Sequence, residues 1–380
     1  MNKNKGITLI ALVITIIILL ILSGISISAL TNQGLFNNAK AAQNATEKAE
    51  EEQGQRLNEY EDEINKYLNN ANEDEKIGLI TDNINKELSK TDNTKLKDEK
   101  GNRIVVPAGF KIINGATTVD KGIVIEDVTE TATKGSQFVW IPVGTITKSD
   151  GTTATITLGR YAFDSTTGKE SAYSGSYIEE DTNDASTLKK WGNTIAKNIT
   201  KFKNSVATNG GYYIGRYEAR TATARSAAGN ALTQITEKGT ENVYNYVTQL
   251  QAAQLSQNMY NNDNFTSDLM NSYAWDTATV FIQNCGTNAK YSRQISLNTS
   301  LLQTGTNSLT DTSKIDVQCN IYDMASNILE WTTETTDSSS FPCVYRGGFY
   351  GNSDHYTSCR DGNSTSDSNV IVGFRPLLYL

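Results

Sequence analysis

Short runs of β-branched and aromatic residues, bounded by glycine or polar turns, fill the chain from Arg103 onward and constrain its fold more than any other feature. They are RIVVPAGFKII, GIVIEDV, SQFVWIPVGTI, TATITLGRYAF and GGYYIGRYEA, in that order. Such runs predict strands, because β-branched and aromatic side chains pack well on a pleated surface. The globular part of the chain is therefore predicted to contain a sheet.

Two segments with helical spacing follow these strands, since their apolar residues repeat every three to four positions. These residues are Val243, Val247 and Leu250 in the first segment and Met270, Ala274 and Phe281 in the second. Thr266 or Ser267 is the predicted N-cap of the second helix. Strands, then two helices, then further strands and long loops predict a compact α+β domain.

The first thirty residues form a separate apolar segment. Lys3 and Lys5 precede an uncharged, mostly apolar run from Ile7 to about Leu30. A transmembrane helix needs roughly 20 residues, and lysines before it hold the N-terminus in the cytoplasm. The sequence therefore predicts a membrane span with the C-terminal domain outside the cell. A plain anchor and a secretory signal cut near Ala29 are the alternatives.

The start of this run, KGITLI at residues 5–10, resembles the leader of type IV pilin-like proteins. In that family a peptidase cuts after the glycine, so the resemblance implies cleavage between Gly6 and Ile7 and contacts with pilin subunits. The family usually has a glutamate a few residues past the cut, where this chain has Ala11. A buried carboxylate in a filament core needs a partner charge, so its absence suggests a subunit that does not propagate the filament.

A long helix and a linker separate the leader from the globular part. Apolar residues between Leu57 and Leu68 keep helical spacing, whereas the residues that follow are polar and weakly periodic. The predicted organisation is a leader and transmembrane helix at 1–30, an extended helix at 31–70, a linker at 71–102 and a ligand-binding domain at 103–380 with a variable segment at 349–372.

Five motifs follow one another in the globular part. Tyr322 to Trp331 reads Tyr-Asp-Met-x-x-Asn-x-x-Glu-Trp, Arg346 begins Arg-Gly-Gly, and Gly373 begins Gly-Phe-Arg; SQFVWIPVG and YYIGRYEA precede them. This order resembles the formylglycine-generating, or sulfatase-modifying, family over about Arg103 to Leu380. The resemblance implies a C-type-lectin-like fold with a small twisted sheet, two helices and long irregular loops.

The catalytic residues of that family are missing. Its enzymes use two cysteines soon after the Gly-Gly pair, and the matching positions here are Asn352 and Thr357, which cannot supply a thiolate. Cys359 is nearby but off register. His355 is the one histidine, which argues against histidine-based catalysis and multi-histidine metal sites. We therefore expect no enzymatic activity; an enzyme of this family with an unrecognised site is an alternative.

Four residues have structural roles implied by the same resemblance. Asn327 and Glu330 match family positions that can bind a structural calcium, and a buried hydrogen-bonded pair that braces the loop is the alternative. No other cofactor is expected. Arg346 and Arg375 are expected to anchor the base of the C-terminal loop through paired hydrogen bonds. A net charge of -8, without a basic cluster after the N-terminus, argues against nucleic-acid binding.

The stretch from Phe349 to Val372 contains no Lys, Glu, Gln, Met or Trp. Each of its residues can be encoded by a codon ending in a pyrimidine, which those five cannot. Random replacement of the adenines in Asn codons produces this set. The stretch resembles the variable region of proteins targeted by diversity-generating retroelements, which mutate adenines, and Gly-Phe-Arg commonly closes that region. An ordinary polar surface loop is the alternative.

Such a composition suits binding, because Tyr gives rigid contact area and Ser, Asn and Gly give adaptable hydrogen bonds, as in antibody loops. The expected ligand-binding residues are Phe349, Tyr350, Gly351, Asn352, Asp354, His355, Tyr356, Asp361, Gly362, Asn363, Asp367, Asn369 and Val370. The sequence thus predicts a non-catalytic, adhesin-like protein of the cell surface, membrane-anchored or pilus-associated, that binds variable protein or carbohydrate ligands. A minor pilin with a purely structural role is the alternative.

Overall fold

The computed structural model describes residues 12–24, 40, 44–46, 48–49, 53 and 78–380, the last range with gaps at 82–83, 87, 114–116, 180–198 and 261. The chain separates into two compact units, Met1–Lys76 and Ile77–Leu380. The described residues of the first unit are helical. Gly6 and Ile7, the predicted cleavage site, and most of the predicted helix over 31–70 lie outside the described residues.

An antiparallel sheet of six strands holds much of the core of the second unit. In spatial order its strands are β14 (Thr266–Leu269), β21 (Pro376–Tyr379), β11 (Gly211–Gly215), β6 (Gln137–Pro142), β5 (Val124–Asp127) and β4 (Phe110–Ile112). Trp140 on β6 lies opposite Tyr213 on β11, and both side chains are fully buried. The runs SQFVWIPVG and GGYYIGRYEA were predicted to be strands, and the structure confirms this.

A second sheet of four strands carries the C-terminal segment. Its order is β19 (Arg360–Asn363), β18 (Cys343–Arg346), β17 (Leu329–Thr335) and β20 (Val372–Phe374). β20 runs parallel to β17, and the other pairs are antiparallel. All seven residues of β17 are buried. The segment therefore begins beside one buried strand, forms the edge strand β19, and returns through β20.

Smaller sheets surround these two. They are β1 (Gly78–Leu79), β2 (Thr94–Lys97) and β3 (Arg103–Val106); the pair β7 (Gly144–Thr147) and β8 (Thr153–Ile156); β9 (Tyr161–Phe163) and β10 (Glu170–Ala172); β12 (Arg220–Thr221) and β13 (Asn242–Val243); and β15 (Val317–Gln318) and β16 (Ile321–Tyr322). β1 and β2 lie in the part of the chain for which the sequence predicts a linker.

Three α-helices lie in the described part of the second unit: α1 (Ile199–Asn209), α2 (Gln249–Met259) and α3 (Ser272–Cys285). Single 3-10 turns occur at Ile84–Lys86, Val119–Lys121, Tyr291–Arg293, Thr306–Ser308 and Thr312–Lys314. The predicted fold class, an α+β domain after a long N-terminal transmembrane or pilin-like helix, is therefore wrong. The described chain is mostly β-sheet with few, short helices.

The two predicted helices of the globular part begin later than the sequence indicates. Val243 belongs to β13, and α2 begins only after Thr248, whose hydroxyl accepts from the Gln251 backbone N–H at 3.3 Å. Ser267 is not an N-cap, because it pairs with Leu378 of β21. The cap of α3 is Asn271, whose Oδ1 accepts from the Ala274 N–H at 2.9 Å. Pairing with distant strands overrides the local helical spacing here.

Near the N-terminus, the described residues 12–24 form an apolar helix. Its large apolar side chains are exposed, from Ile16 at 47% to Leu20 at 65%. Among the residues that the structure describes, no helix combines the length and apolarity that a bilayer crossing requires.

Candidate binding face

Arg375, directly after β20, ties the end of the segment to the core. Its Nε and Nη2 donate to the two carboxylate oxygens of Glu330 at 3.0 and 2.6 Å. Nη1 and Nη2 also donate to the carbonyl oxygens of Gly215 and Tyr322. Burial lowers the pKa of Arg375, but the charge and hydrogen bonds of Glu330, together with the nearby carboxylates of Glu218 and Glu237, raise this pKa above its ordinary value. The predicted anchoring by paired hydrogen bonds is confirmed for Arg375.

Arg346, the last residue of β18, holds the start of the segment. Its Nε donates to the Cys359 carbonyl oxygen at 2.7 Å, and Nη2 donates to Asp276 at 2.6 Å. Nη1 lies 3.5 Å from Glu334, and all three charged side chains are 0% exposed. Burial lowers the pKa of Arg346, and the nearby charge of Arg360 lowers it further. Arg346 therefore anchors the segment as predicted.

A third arginine, Arg360 on β19, lies inside the segment and was not identified from the sequence. Its Nε donates to both carboxylate oxygens of Glu334 at 3.0 and 3.1 Å, and Nη1 donates to the Tyr161 carbonyl oxygen at 2.9 Å. Nη2 pairs with Asp276, and the side chain is 7% exposed. The sequence contains one signal for this role. Arg360 is the only arginine between Phe349 and Val372, and this stretch contains no Lys or Glu.

Thr357 provides a further fixed point in the middle of the segment. Its side chain is 0% exposed, its N–H donates to the Gln294 carbonyl oxygen at 3.0 Å, and its own carbonyl accepts from the Trp275 Nε1–H at 2.9 Å. Buried backbone groups are almost always hydrogen-bonded, so these contacts fix the path of the chain at this point. The segment is thus held at both ends and in its middle.

The predicted ligand-binding residues lie outside the core. Gly351, Asp354 and Asp361 are exposed, and the other ten of the thirteen are partly exposed. Between Phe349 and Val372, only Thr357 and Val372 are buried. We refer to the surface formed by Phe349–Val370 as the variable face. Its accessible side chains are the ones expected to contact a ligand.

Aromatic rings group at one end of the variable face. The Phe349 and His355 ring centroids are 5.4 Å apart, and the Phe349 and Tyr350 centroids are 6.3 Å apart. His355 also lies 6.4 Å from the Tyr345 ring. At this end the guanidinium of Arg293 stacks 3.4 Å from the centroid of the Tyr356 ring. Partly exposed aromatic groups of this kind provide contact area together with polar edges.

Side-chain amides and carboxylates brace the other end. Asp367 accepts from Asn363 Nδ2 at 2.8 Å and from Asn369 Nδ2 at 2.9 Å. The carbonyl oxygen of Val370 accepts from Asn245 Nδ2 at 3.1 Å, which links this turn to the fixed part of the domain. The turn is therefore held by its own polar residues, and substitutions in it will alter its shape as well as its chemistry.

Gly351 occupies a backbone conformation that restricts which residues can replace it. Its φ is 70°, and a Cβ built on it would lie 3.3 Å from the Thr299 carbonyl oxygen. A left-handed conformation costs roughly 1–2 kcal/mol for most L-residues, whereas Asn and Asp adopt it more readily.

We expect Gly351→Val to lower the free energy of unfolding by about 1–2 kcal/mol, because a β-branched residue is strained at positive φ. Gly351→Asn should lower it by a smaller amount, since Asn tolerates this conformation. Urea denaturation of the two variants beside the parent protein measures the difference. Equal losses in the two variants would contradict the assignment of strain to φ.

Three comparisons with known proteins place these observations in context. No protein-family model matches the chain, and no curated protein matches it. Among solved structures, Treponema denticola variable protein 1 is similar at 14% identity and a TM-score of 0.33, over 66% of this chain and 98% of that chain. The structure titled "Crystal Structure of CarF" is similar at 21% identity and a TM-score of 0.22, over 30% of this chain and 47% of that one. Similarities at these low TM-scores establish neither a shared fold nor a shared function.

The residues suggested for calcium do not fit a metal ion in this arrangement. Both carboxylate oxygens of Glu330 accept from Arg375. Asn327 Oδ1 accepts from the Leu302 N–H at 3.0 Å, and its Nδ2 donates to Glu218 at 2.8 Å. A guanidinium already occupies the side of Glu330 that a cation would need. Within the described part of the chain, no group of three or more His, Cys, Asp or Glu is arranged to hold a metal.

The two positions that match the catalytic cysteines of the resembled family have other roles here. Asn352 Oδ1 accepts from the backbone N–H groups of Asp354 and His355 at 2.7 and 2.9 Å, which closes a turn. Thr357 is the buried fixed point described above. Burial raises the pKa of the nearby Cys359 thiol, which disfavours the thiolate needed for nucleophilic attack.

Proposed function

We propose that the protein binds other proteins through the variable face, without catalysis, and that the face is diversified by a retroelement that mutates adenines. One observation carries this proposal. Between Phe349 and Val372 the accessible residues all belong to one adenine-derived set, and each of the thirteen expected contact residues is at least partly exposed. A surface whose residues change without unfolding the domain requires that the varied residues be separate from the buried residues that hold the fold together.

The anchors of the segment support the same division. Arg346, Arg360 and Arg375 are held by buried carboxylates, whereas most other residues from Phe349 to Ile371 are at least partly exposed. Removing one partner of a buried ion pair is costly, so these arginines cannot vary freely. Exposed positions can vary, because surface substitutions usually change stability by no more than about 0.5 kcal/mol.

Protein ligands are favoured by the chemistry of the face. Its side chains lie along the edge strand β19 and the turns beside it, and they combine aromatic rings with small polar groups. Antibody loops use this combination against protein surfaces. A carbohydrate ligand is the other outcome, and a glycan array distinguishes the two.

Exchanging the contact residues tests the proposal. A second form of the protein carries a different set of Asn, Ser, Asp, Tyr and His residues at the expected contact positions, and it retains Gly351, Thr357, Arg360 and Gly362. Each form is used to select binders from a phage-displayed random peptide library. We expect different peptides from the two forms, because the exposed side chains determine the contacts, while the free energy of unfolding changes by no more than about 2 kcal/mol.

A control exchange replaces the exposed threonines of β7 and β8, which are Thr145, Thr153 and Thr155, far from the segment in sequence, and should leave the selected peptides unchanged. Identical peptide sets from the two face variants would overturn the proposal. Unfolding of the exchanged form would also overturn it, since the face would then be part of the scaffold.

Diversification has a separate test in the genome. A near-copy of the segment, with Asn codons at the positions that differ, should lie close to a reverse transcriptase gene. Absence of both contradicts diversification but leaves binding untouched. We also propose that the face is displayed outside the cell, and added protease should then remove its epitope from intact cells.

A further inference from the structure

Phe341 is an aromatic residue that the core does not use. It lies in the loop between β17 and β18, and its side chain is 54% exposed. Among the residues that the structure describes, it is the one aromatic residue that is more than half exposed. Single exposed apolar residues are common on protein surfaces, so exposure alone does not assign a role to it.

The loop holds Phe341 in a defined position. The Phe341 N–H donates to Ser338 Oγ at 3.1 Å, and the Phe341 carbonyl oxygen accepts from the Thr336 hydroxyl at 2.8 Å. The Thr336 N–H donates to the Pro342 carbonyl oxygen at 3.0 Å, which closes the loop. The following proline also restricts the backbone of Phe341. The backbone of the loop is therefore ordered before a partner covers the ring, and such preorganisation strengthens binding.

The same loop adjoins the variable face. A Cβ built on Gly362 of β19 would lie 2.8 Å from the Phe341 carbonyl oxygen and 3.4 Å from the Phe341 Cβ. Gly362 is itself one of the expected contact residues, and it is partly exposed. Phe341 thus extends the variable face at the β19 side, although it lies before the segment in the sequence. Aromatic side chains, phenylalanine among them, are enriched at protein interfaces, where they supply large contact area.

We propose that Phe341 is a fixed contact residue at the edge of the variable face, which protein ligands cover whatever the sequence of the segment. This inference rests on the proposed function of the segment. The exposed residues of the face select the ligand, and Phe341 adds apolar contact area that is common to all of the ligands. Such a residue benefits a diversified face, because it contributes the same apolar contact to the binding free energy with every new set of side chains.

The test uses the full protein in two forms, one with the natural segment and one with the exchanged contact residues. Peptides are selected from the phage-displayed library on each form. Only peptides that bind the form used for their selection, and do not bind the other form, are tested further. Phe341→Ala should weaken the binding of both peptide sets about tenfold, which corresponds to about 1.4 kcal/mol. Phe341→Tyr should retain most of the affinity, because its ring covers the same area. Leu79→Ala is the matched control, since Leu79 is 59% exposed and belongs to the separate sheet of β1, β2 and β3.

Three outcomes are distinguishable when melting temperatures stay equal to the parent's. Weakening of both sets by Phe341→Ala, with no change for Leu79→Ala, supports the inference. Unchanged affinity for either set overturns it while leaving the proposed function of the segment intact. If every selected peptide binds both forms of the protein, the proposed function of the segment fails, and the inference about Phe341 fails with it.

Discussion

An Arg360→Ala variant is expected to lose about 3 kcal/mol of unfolding free energy, although Arg360 lies inside the segment that we propose to vary. The substitution removes a guanidinium that contacts Glu334 and Asp276, both fully buried. Arg346 remains beside the two carboxylates, but it cannot replace the hydrogen bonds that are lost. Breaking a buried ion pair from one side costs about 3–5 kcal/mol, because the remaining charge stays out of water. Urea denaturation measures the loss.

The matched control is the next residue along β19. The side chain of Asp361 is 52% exposed, and Asp361→Ala should change the free energy of unfolding by no more than about 0.5 kcal/mol. Similar losses for the two variants would contradict the separation between anchors and contact residues. The same comparison predicts that Arg360 stays constant when segments of different sequence are compared, whereas Asp361 changes.

Gly348→Ala should also destabilise the protein strongly, by about 3 kcal/mol. A Cβ at this position would lie 2.3 Å from the Ala325 carbonyl oxygen and 3.0 Å from the His355 carbonyl oxygen. Both neighbours are backbone atoms, so the clash can be relieved only if the backbone moves at Gly348, at the turn of Ala325 or at His355 in the segment. Displacement of His355 would also disturb the aromatic end of the variable face, so weaker peptide binding should accompany the loss of stability.

Gly229 provides the control for this substitution. A Cβ built on Gly229 meets no atom within 4 Å, so Gly229→Ala should leave the free energy of unfolding within about 0.5 kcal/mol of the parent value. Thermal unfolding of the two alanine variants measures both losses of stability. The difference between them is the effect of the close backbone contacts at Gly348, beyond the general effect of replacing a glycine. A Gly348→Ala protein as stable as Gly229→Ala would show that the segment is not packed against Ala325.

Local sequence patterns located many of the strands. The run GIVIEDV contains β5, and TATITLGRYAF contains β8 and β9, because alternating β-branched and aromatic residues favour extended backbone over other conformations. Local patterns failed where a distant partner decided the outcome. Val243 is in a strand because it pairs with Arg220, and Ser267 is in a strand because it pairs with Leu378. Helical spacing over a few residues could not reveal either partner.

For the candidate site, the sequence alone determined the extent of the segment, its unusual composition and the two arginines that bound it. These properties are written in consecutive residues, so they can be read without coordinates. Only the tertiary structure showed that Arg360 is an anchor, since its partners Asp276 and Glu334 lie 84 and 26 residues away in the chain. It also decided that Phe341 adjoins the variable face and that the contact residues lie outside the core. The reason is physical: burial and ion pairing depend on which groups meet in space, and the strands that bring these groups together are separated in the sequence.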